Sequence, residues 1–154
     1  VLLLQETKLA DDAFPALAFE ALGYSSAHYG QGQWNGVAIL SRVGLDDVVA
    51  NFAGDVEPDP DARIITATCG GVRVWSLYVP NGRKPDDPHY VYKLDWLARL
   101  HQAAGSWLDT PTALVGKGEV GTFHMALFYT ETQNIVPSGA MAMSLHTPPL
   151  LGKS

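Results

Sequence analysis

The stretch Val1-Leu2-Leu3-Leu4-Gln5-Glu6-Thr7-Lys8 passes from a run of apolar residues to a carboxylate within two positions. An unbroken apolar run without polar alternation reads as a strand buried on both faces. Glu6 then falls just past the strand end, where a carboxylate can offer a hard oxygen donor to a divalent cation. Taken alone, such a glutamate is more often a loop or capping residue, so its neighbours must decide.

Outward from this stretch the chain alternates strands and helices. Asp11 and Asp12 are placed to cap a helix running through Phe14, Leu17, Ala18, Ala21 and Leu22, with Pro15 in its first turn and Gly23 at its end. Tyr24 to Tyr29 alternates as a strand, Gly30 to Gln33 is a loop, and Gly36 to Leu40 is a second buried strand. Gly70-Gly71 joins the β-rich runs Arg63 to Cys69 and Val72 to Val79 into a hairpin, leaving Tyr78 at a strand end. Asp86 or Asp87, followed by Pro88, starts a second helix with an apolar face of Tyr92, Leu94, Trp96, Leu97, Leu100 and Ala104. Thr112 to Val115 returns as a strand, and no internal repeat is visible.

With 154 residues and 47% hydrophobic content, one globular domain with its own core is expected. Cys69 is the only cysteine, which excludes an intramolecular disulfide and a cysteine-based metal site and makes a reducing cytoplasm the expected compartment. No apolar run approaches the roughly 20 residues that span a bilayer, so no membrane partner is expected. The formal charge of -6 argues against binding nucleic acid through bulk charge. Bound cations would offset that charge locally in a metal-dependent enzyme. His28, His89, His101, His124 and His146 lack zinc-ligand spacing, and no G-x-S-x-G elbow supports acyl transfer.

Four segments in order give the site. Leu4-Gln5-Glu6-Thr7-Lys8, Trp34-Asn35-Gly36-Val37-Ala38-Ile39-Leu40-Ser41-Arg42, Arg63 at the head of its strand, and Tyr78-Val79-Pro80-Asn81-Gly82-Arg83 together resemble the exonuclease III and apurinic/apyrimidinic (AP) endonuclease branch of the endonuclease/exonuclease/phosphatase superfamily. The resemblance runs from Val1 to Gly116. It implies an α/β fold, part of a deoxyribonuclease I-like four-layer α/β/β/α sandwich with two antiparallel-rich sheets between helical layers. It also implies a DNA-repair nuclease that incises beside abasic sites and removes nucleotides from 3′ ends of duplex DNA, with Mg²⁺, or Mn²⁺, as cofactor and no nucleotide cofactor. The implied catalytic residues are Glu6, which would ligate the metal, Tyr78, which would stand beside the scissile phosphate, and Asn81, and both Asn81 and Arg83 would contact the DNA backbone. Lys8 would orient carboxylates near the DNA, and Trp34, Asn35 and Arg63 would lie on the substrate side. The chemistry of the residues leaves other readings open. Tyr78 is also a strand-end aromatic, Asn81-Gly82 a turn, Arg83 a solvated charge, and Trp34 a loop residue folded onto its own domain.

The pattern breaks after Gly116. Where the family continues Gly-Asp-Phe-Asn, with the Asp and Asn that orient the attacking water, this chain reads Gly116-Lys117-Gly118-Glu119. Every Met follows Lys117 and every Arg, Asp and Trp precedes it, which divides the chain into a partial nuclease domain, 1–116, and a divergent tail, 117–154. The tail is expected to be poorly ordered, with weak strand character at Phe123 to Tyr129. A second metal-site Asn and a late Ser-Asp-His element also have no counterpart. The chain is therefore expected to be a piece of a longer protein, unstable or associating and at most weakly active alone. The alternative is a non-catalytic fragment that at most binds DNA or a partner. Gly116 to Gly121 also matches a G-x-G-x-x-G dinucleotide fingerprint, which would require a helix directly afterwards.

Overall fold

A computed structural model describes residues 1–54 and 56–104, together with the backbone of the strands 112–119 and 122–129. The strands form two sheets. β1 (Leu2–Gln5), β3 (Val37–Ser41) and β2 (Ser25–Tyr29) make a three-stranded antiparallel sheet with β3 in the middle. β4 (Asp46–Ala50), β5 (Ile64–Cys69), β6 (Val72–Tyr78), β7 (Thr112–Glu119) and β8 (Thr122–Tyr129) follow one another in the second sheet. All of its pairings are antiparallel except β6 with β7. Parallel neighbours require a crossover, and α2 (Pro88–Ala104) lies in that connection.

Residue alternation sorts the side chains of β5 and β6 onto two faces. Ile65, Ala67, Cys69 and Val74 meet Val37 and Ile39 of the three-stranded sheet, with Leu3, Ala27, Tyr29 and Tyr78 packed at the margin. Ile64, Trp75 and Leu77 point the other way into a cluster with Phe52, Val56, Trp96 and Ala103. Trp96 of α2 is completely buried there. The layers thus run three-stranded sheet, five-stranded sheet, α2, with α1 (Ala16–Ala21) against β2.

The Gly70-Gly71 hairpin forms as expected: Cys69 pairs with Val72, and both glycines adopt positive φ, 58° and 81°. These are the left-handed values a two-residue turn demands. Pro88 opens α2 as expected, with the Asp87 carboxylate accepting the His89 N–H at 2.9 Å.

Three expectations need correction: the length and capping of the first helix, the burial of β1 and the dinucleotide reading. The first helix is shorter than its apolar pattern suggested: a 3-10 turn at Asp11–Ala13 precedes Ala16–Ala21, and neither start has a side-chain cap. Asp11 accepts the Gly30 N–H at 2.8 Å instead, so its carboxylate is spent across the loop and not on the helix end. Strand β1 is an edge strand, paired only with β3 among the described strands, and Leu2 remains 48% exposed. The weak strand expected at Phe123 to Tyr129 is β8, and β7 passes through Gly116 into an antiparallel pairing with β8. No helix follows β7 directly, which removes the dinucleotide reading. The rest of the expected tail, 120–121 and 130–154, and Asp55 lie outside the described residues, as does the stretch 105–111. β4 had no clear signal because it is an exposed edge strand opening on Asp46-Asp47. Among the described residues no helix is long and apolar enough to cross a membrane.

Candidate functional site

The ends of β1 and β6 meet where the two sheets face one another. Period-two alternation puts Val74, Ser76 and Tyr78 on the face of β6 turned towards the three-stranded sheet. The fully buried Ser76 hydroxyl donates to the Leu4 carbonyl at 3.0 Å and accepts from the Gln5 side-chain amide at 3.0 Å. Two residues on, the Tyr78 hydroxyl donates to Glu6 Oε1 at 2.6 Å. A charge-assisted O–H···O⁻ bond is expected to be that short. Successive residues of β1 are thereby stitched to alternate residues of β6, and the carboxylate ends at the open end of the seam.

Backbone geometry aims Glu6. Glu6 and Lys8 both take left-handed φ, 56° and 53°, which turns the chain out of β1. This turn is held by the Asn35-Gly36 segment: the Thr7 N–H donates to the Gly36 carbonyl at 3.2 Å and the Lys8 N–H to the Asn35 carbonyl at 2.9 Å. Gly36, at φ 93°, must be glycine, because an added Cβ would collide with Thr7 Oγ1.

Tyr78 is held from behind as well. Its N–H donates to the Arg63 carbonyl at 2.7 Å, and the Arg63 guanidinium lies 5.0 Å from the centre of its ring. Arg63 also donates to Asp61 Oδ2 at 3.0 and 3.1 Å and to the Tyr92 hydroxyl at 3.1 Å. Tyr92 passes its proton bond to Asp59 at 2.8 Å, and Asp59, with no exposed side-chain surface, pairs with Arg99 at 2.9 Å. Burial first, and then the hydrogen bond to Asp59, push the Tyr92 phenol well above its ordinary range, so it stays a donor.

The other expected site residues lie at varied depth. Lys8 is exposed beside Glu6, and Trp34 is 65% exposed on the adjoining loop. Asn35 contributes its backbone carbonyl to the Lys8 turn. Beyond Tyr78, the Asn81 side chain accepts the Arg83 N–H at 2.8 Å, an Asx-type turn that shapes the loop. Arg83 is mostly exposed and only 3.7 Å from Asp87, an i,i+4 pair. Arg63 differs in kind: its side chain is only 11% exposed and is bound on every side just described. Residues not singled out from sequence, Ser76 and the set Asp59, Tyr92 and Arg99, prove to support the site. Strand alternation from Tyr78 places Ser76 on its face; the Asp59 set is joined only through the fold.

The donor set bears on whether a cation fits here. Among the described residues no group of three His, Cys, Asp or Glu side chains converges. A site preassembled from three such side chains is therefore absent from them. Mg²⁺ is different, since it keeps several waters and is commonly held by one or two carboxylates with substrate phosphates completing the shell. The partly exposed Glu6 carboxylate at the seam fits that mode.

Strand β7 lies parallel beside β6 with Tyr78 opposite Lys117 and Leu77 opposite Gly116. The position at which the family resemblance breaks is thus the register neighbour of Tyr78.

Comparison with known proteins identifies the family. Residues 1–116 match the model of the Endonuclease/Exonuclease/phosphatase family. Exodeoxyribonuclease III of Haemophilus influenzae is 40% identical over 104 residues, covering 64% of this chain and 39% of that protein. A 3′-5′ exonuclease of Neisseria meningitidis superposes with a TM-score of 0.72 at 37% identity, over 77% of this chain and 47% of the other. A Neisseria 3′ phosphatase bound to a product DNA hairpin gives 0.71 at 38% identity over 75% and 46%. An AP endonuclease of Archaeoglobus fulgidus gives 0.70 at 36% identity over 75% and 45%. The chain therefore spans less than half the length of each of these relatives. With the family model covering most of the chain, and with two facing sheets flanked by helices as in the deoxyribonuclease I-like relatives, this chain belongs to the endonuclease/exonuclease/phosphatase family.

Proposed function

We propose that residues 1–116 supply one side of a Mg²⁺-dependent DNA-repair nuclease site that incises duplex DNA at abasic sites and trims 3′ ends. The observation that carries this reading is the Tyr78 hydroxyl bound at 2.6 Å to Glu6 at the open end of the sheet seam. The relatives named above, an exodeoxyribonuclease, an AP endonuclease and a phosphatase bound to a DNA hairpin, supply the substrate class.

In this reading Glu6 holds a divalent cation, with Mn²⁺ able to replace Mg²⁺. When bound, that cation supplies Lewis-acid stabilisation of the negative charge that gathers on a phosphodiester under attack. Tyr78 fixes the rotamer of Glu6 and offers its hydroxyl as a donor or acceptor beside the phosphate. Arg63 acts on Tyr78 through its ring and carbonyl and keeps it in place. Asn81 shapes the loop that presents Arg83 to the DNA backbone, and Lys8 contributes local positive charge against the acidic background of the chain. Trp34 and Asn35 sit on the loop that would face the substrate.

A second reading, DNA binding without hydrolysis, is favoured by one observation. Lys117 holds the register position beside Tyr78 where the family resemblance calls for aspartate. A single pair of chimaeras separates the two. Residues 1–116, or 1–119, replace the matching segment of the Haemophilus influenzae enzyme, and incision of duplex DNA with one abasic site is assayed with Mg²⁺ and with chelator. The nuclease reading predicts chelator-sensitive incision by the 1–116 chimaera that falls at least 100-fold in Glu6→Ala, as loss of transition-state charge stabilisation does. The 1–119 chimaera should bind the same DNA and cut poorly. Incision that survives Glu6→Ala would remove the assignment of Glu6 as metal ligand.

A further inference from the structure

Under the loop that carries Glu6 lies a chain of side chains that none of the expected site residues includes. Thr7 Oγ1 is 2.8 Å from His28 Nε2, and His28 Nδ1 is 2.8 Å from Asp11 Oδ1. The same Asp11 oxygen accepts the Gly30 N–H at 2.8 Å. The His28 ring is 4% exposed and stacks on Phe14, with centroids 4.2 Å apart and planes 10° from parallel. Gly30 presses on the other side, where an added Cβ would strike both the Leu9 carbonyl and the His28 ring.

We propose that His28 is a positioning residue for Glu6, acting through Thr7, with Asp11 fixing the imidazole. Three observations carry the inference. The order hydroxyl, imidazole, carboxylate matches that of an acyl-transfer triad, but Thr7 Oγ1 is packed against the Gly36 backbone, so the hydroxyl is built as a clamp and not as a nucleophile. Thr7 is the residue between the two left-handed positions, Glu6 and Lys8. A threonine fixed at side chain and backbone N–H together leaves that strained turn one conformation, and strained turns persist only where their surroundings over-determine them. Finally, Asp11 sets the tautomer. The Asp11 carboxylate stands 2.8 Å from Nδ1, off the line of a hydrogen bond, and its charge favours a proton on that nitrogen, which leaves Nε2 to accept the Thr7 O–H. Burial lowers the His28 pKa against the opposing pull of Asp11, which agrees with a neutral ring.

The inference rests on the reading of Glu6 as a cation ligand, and the test separates the two. The full chain and its Glu6→Gln, Thr7→Val, Thr7→Ser and His28→Asn variants are titrated with Mn²⁺ by water-proton relaxation, and amide hydrogen exchange is followed at Thr7 and Lys8 without metal. Loss of Mn²⁺ binding in Glu6→Gln supports the ligand reading. Thr7→Val and His28→Asn are then expected to weaken Mn²⁺ about 10-fold or more, the usual effect of removing an outer partner of a ligand. Thr7→Ser, which keeps the hydroxyl, should restore most of it. Exchange at Thr7 and Lys8 should quicken in Thr7→Val and His28→Asn, while Ile39 and Ile65 stay protected. Mn²⁺ affinity and exchange both unchanged in Thr7→Val would overturn the clamp. Equal Mn²⁺ binding by the unmodified chain and Glu6→Gln would overturn the ligand reading instead, and exchange alone would then decide for or against the clamp.

Discussion

Tyr78 and Tyr92 flank the same guanidinium, with Arg63 at 5.0 Å from one ring and 5.7 Å from the other. Each hydroxyl also donates to a carboxylate. The carboxylates separate the two regions. Asp59, beneath α2, has no exposed side-chain surface and is shared among Tyr92, Arg99 and the Asp61 N–H. Glu6, at the open end of the sheet seam, is partly exposed and held by a side chain at the mouth of the site. An enclosed charge must keep its partners, because removing one leaves the others uncompensated away from water, whereas a carboxylate meant for a cation must remain reachable. Chemically similar pairs thus stand in one enclosed and one open setting, joined by Arg63, and only the open one is proposed to take part in chemistry.

The largest effect should come from breaking the buried side of this comparison. Asp59→Ala leaves Arg99 and Tyr92 without their acceptor in the interior, and urea unfolding should show a loss of roughly 3–5 kcal/mol. A loss below about 1 kcal/mol would mean the Asp59 pair is solvated in solution. Trp96→Ala, in the apolar cluster between β6 and α2, belongs to the same region and should cost about 3–5 kcal/mol. Tyr92→Phe should cost about 1–3 kcal/mol, because Asp59 and Arg63 each lose a partner away from water. On the open side, Glu6→Gln should change stability by less than about 1 kcal/mol, while abolishing divalent-cation binding in a Mn²⁺ titration. Stability that falls as far in Glu6→Gln as in Asp59→Ala would erase the distinction drawn between the regions.

The smallest expected effect is on pH dependence. Burial depresses the His28 pKa below 6.5, so the unfolded chain takes up this proton before the folded chain does. The contribution of His28 is therefore complete above pH 6.5 and is lost as pH falls below it towards the folded value. Urea midpoints measured downwards from pH 7 should decline more steeply in the unmodified chain than in His28→Asn. Identical slopes would show that His28 titrates normally in the fold.

Much of this was legible in the sequence where a local pattern and a physical requirement coincide. Gly70-Gly71 demanded a two-residue turn, Pro88 after Asp87 demanded a helix start, and the buried β3 announced itself as Val37-Ala38-Ile39-Leu40. The candidate site was legible through its motifs, since Glu6 and Tyr78 lie at strand ends that the fold then brings together. What escaped was set by contacts distant in sequence. Ser76 bonds residues more than 70 positions away, and the Asp59 set joins a Pro-rich loop to α2. Asp11 read as a helix cap because local rules cannot see Gly30 and His28 arriving from β2 and the loop after it. Arg63, expected on the DNA side, carries a guanidinium enclosed by Asp61, Tyr92 and the Tyr78 carbonyl, which only the packed structure reveals.

The carboxylate held by Tyr78 is proposed to be the one that takes a divalent cation. Ring-labelled tyrosine in the full chain, titrated with substoichiometric Mn²⁺, tests it directly, because paramagnetic broadening reports proximity to the ion at each ring. Tyr78 is expected to broaden first, Tyr92 to follow only weakly, and Glu6→Gln to remove the difference. Equal broadening of all tyrosines, or selective broadening of Tyr78 that persists in Glu6→Gln, would contradict it.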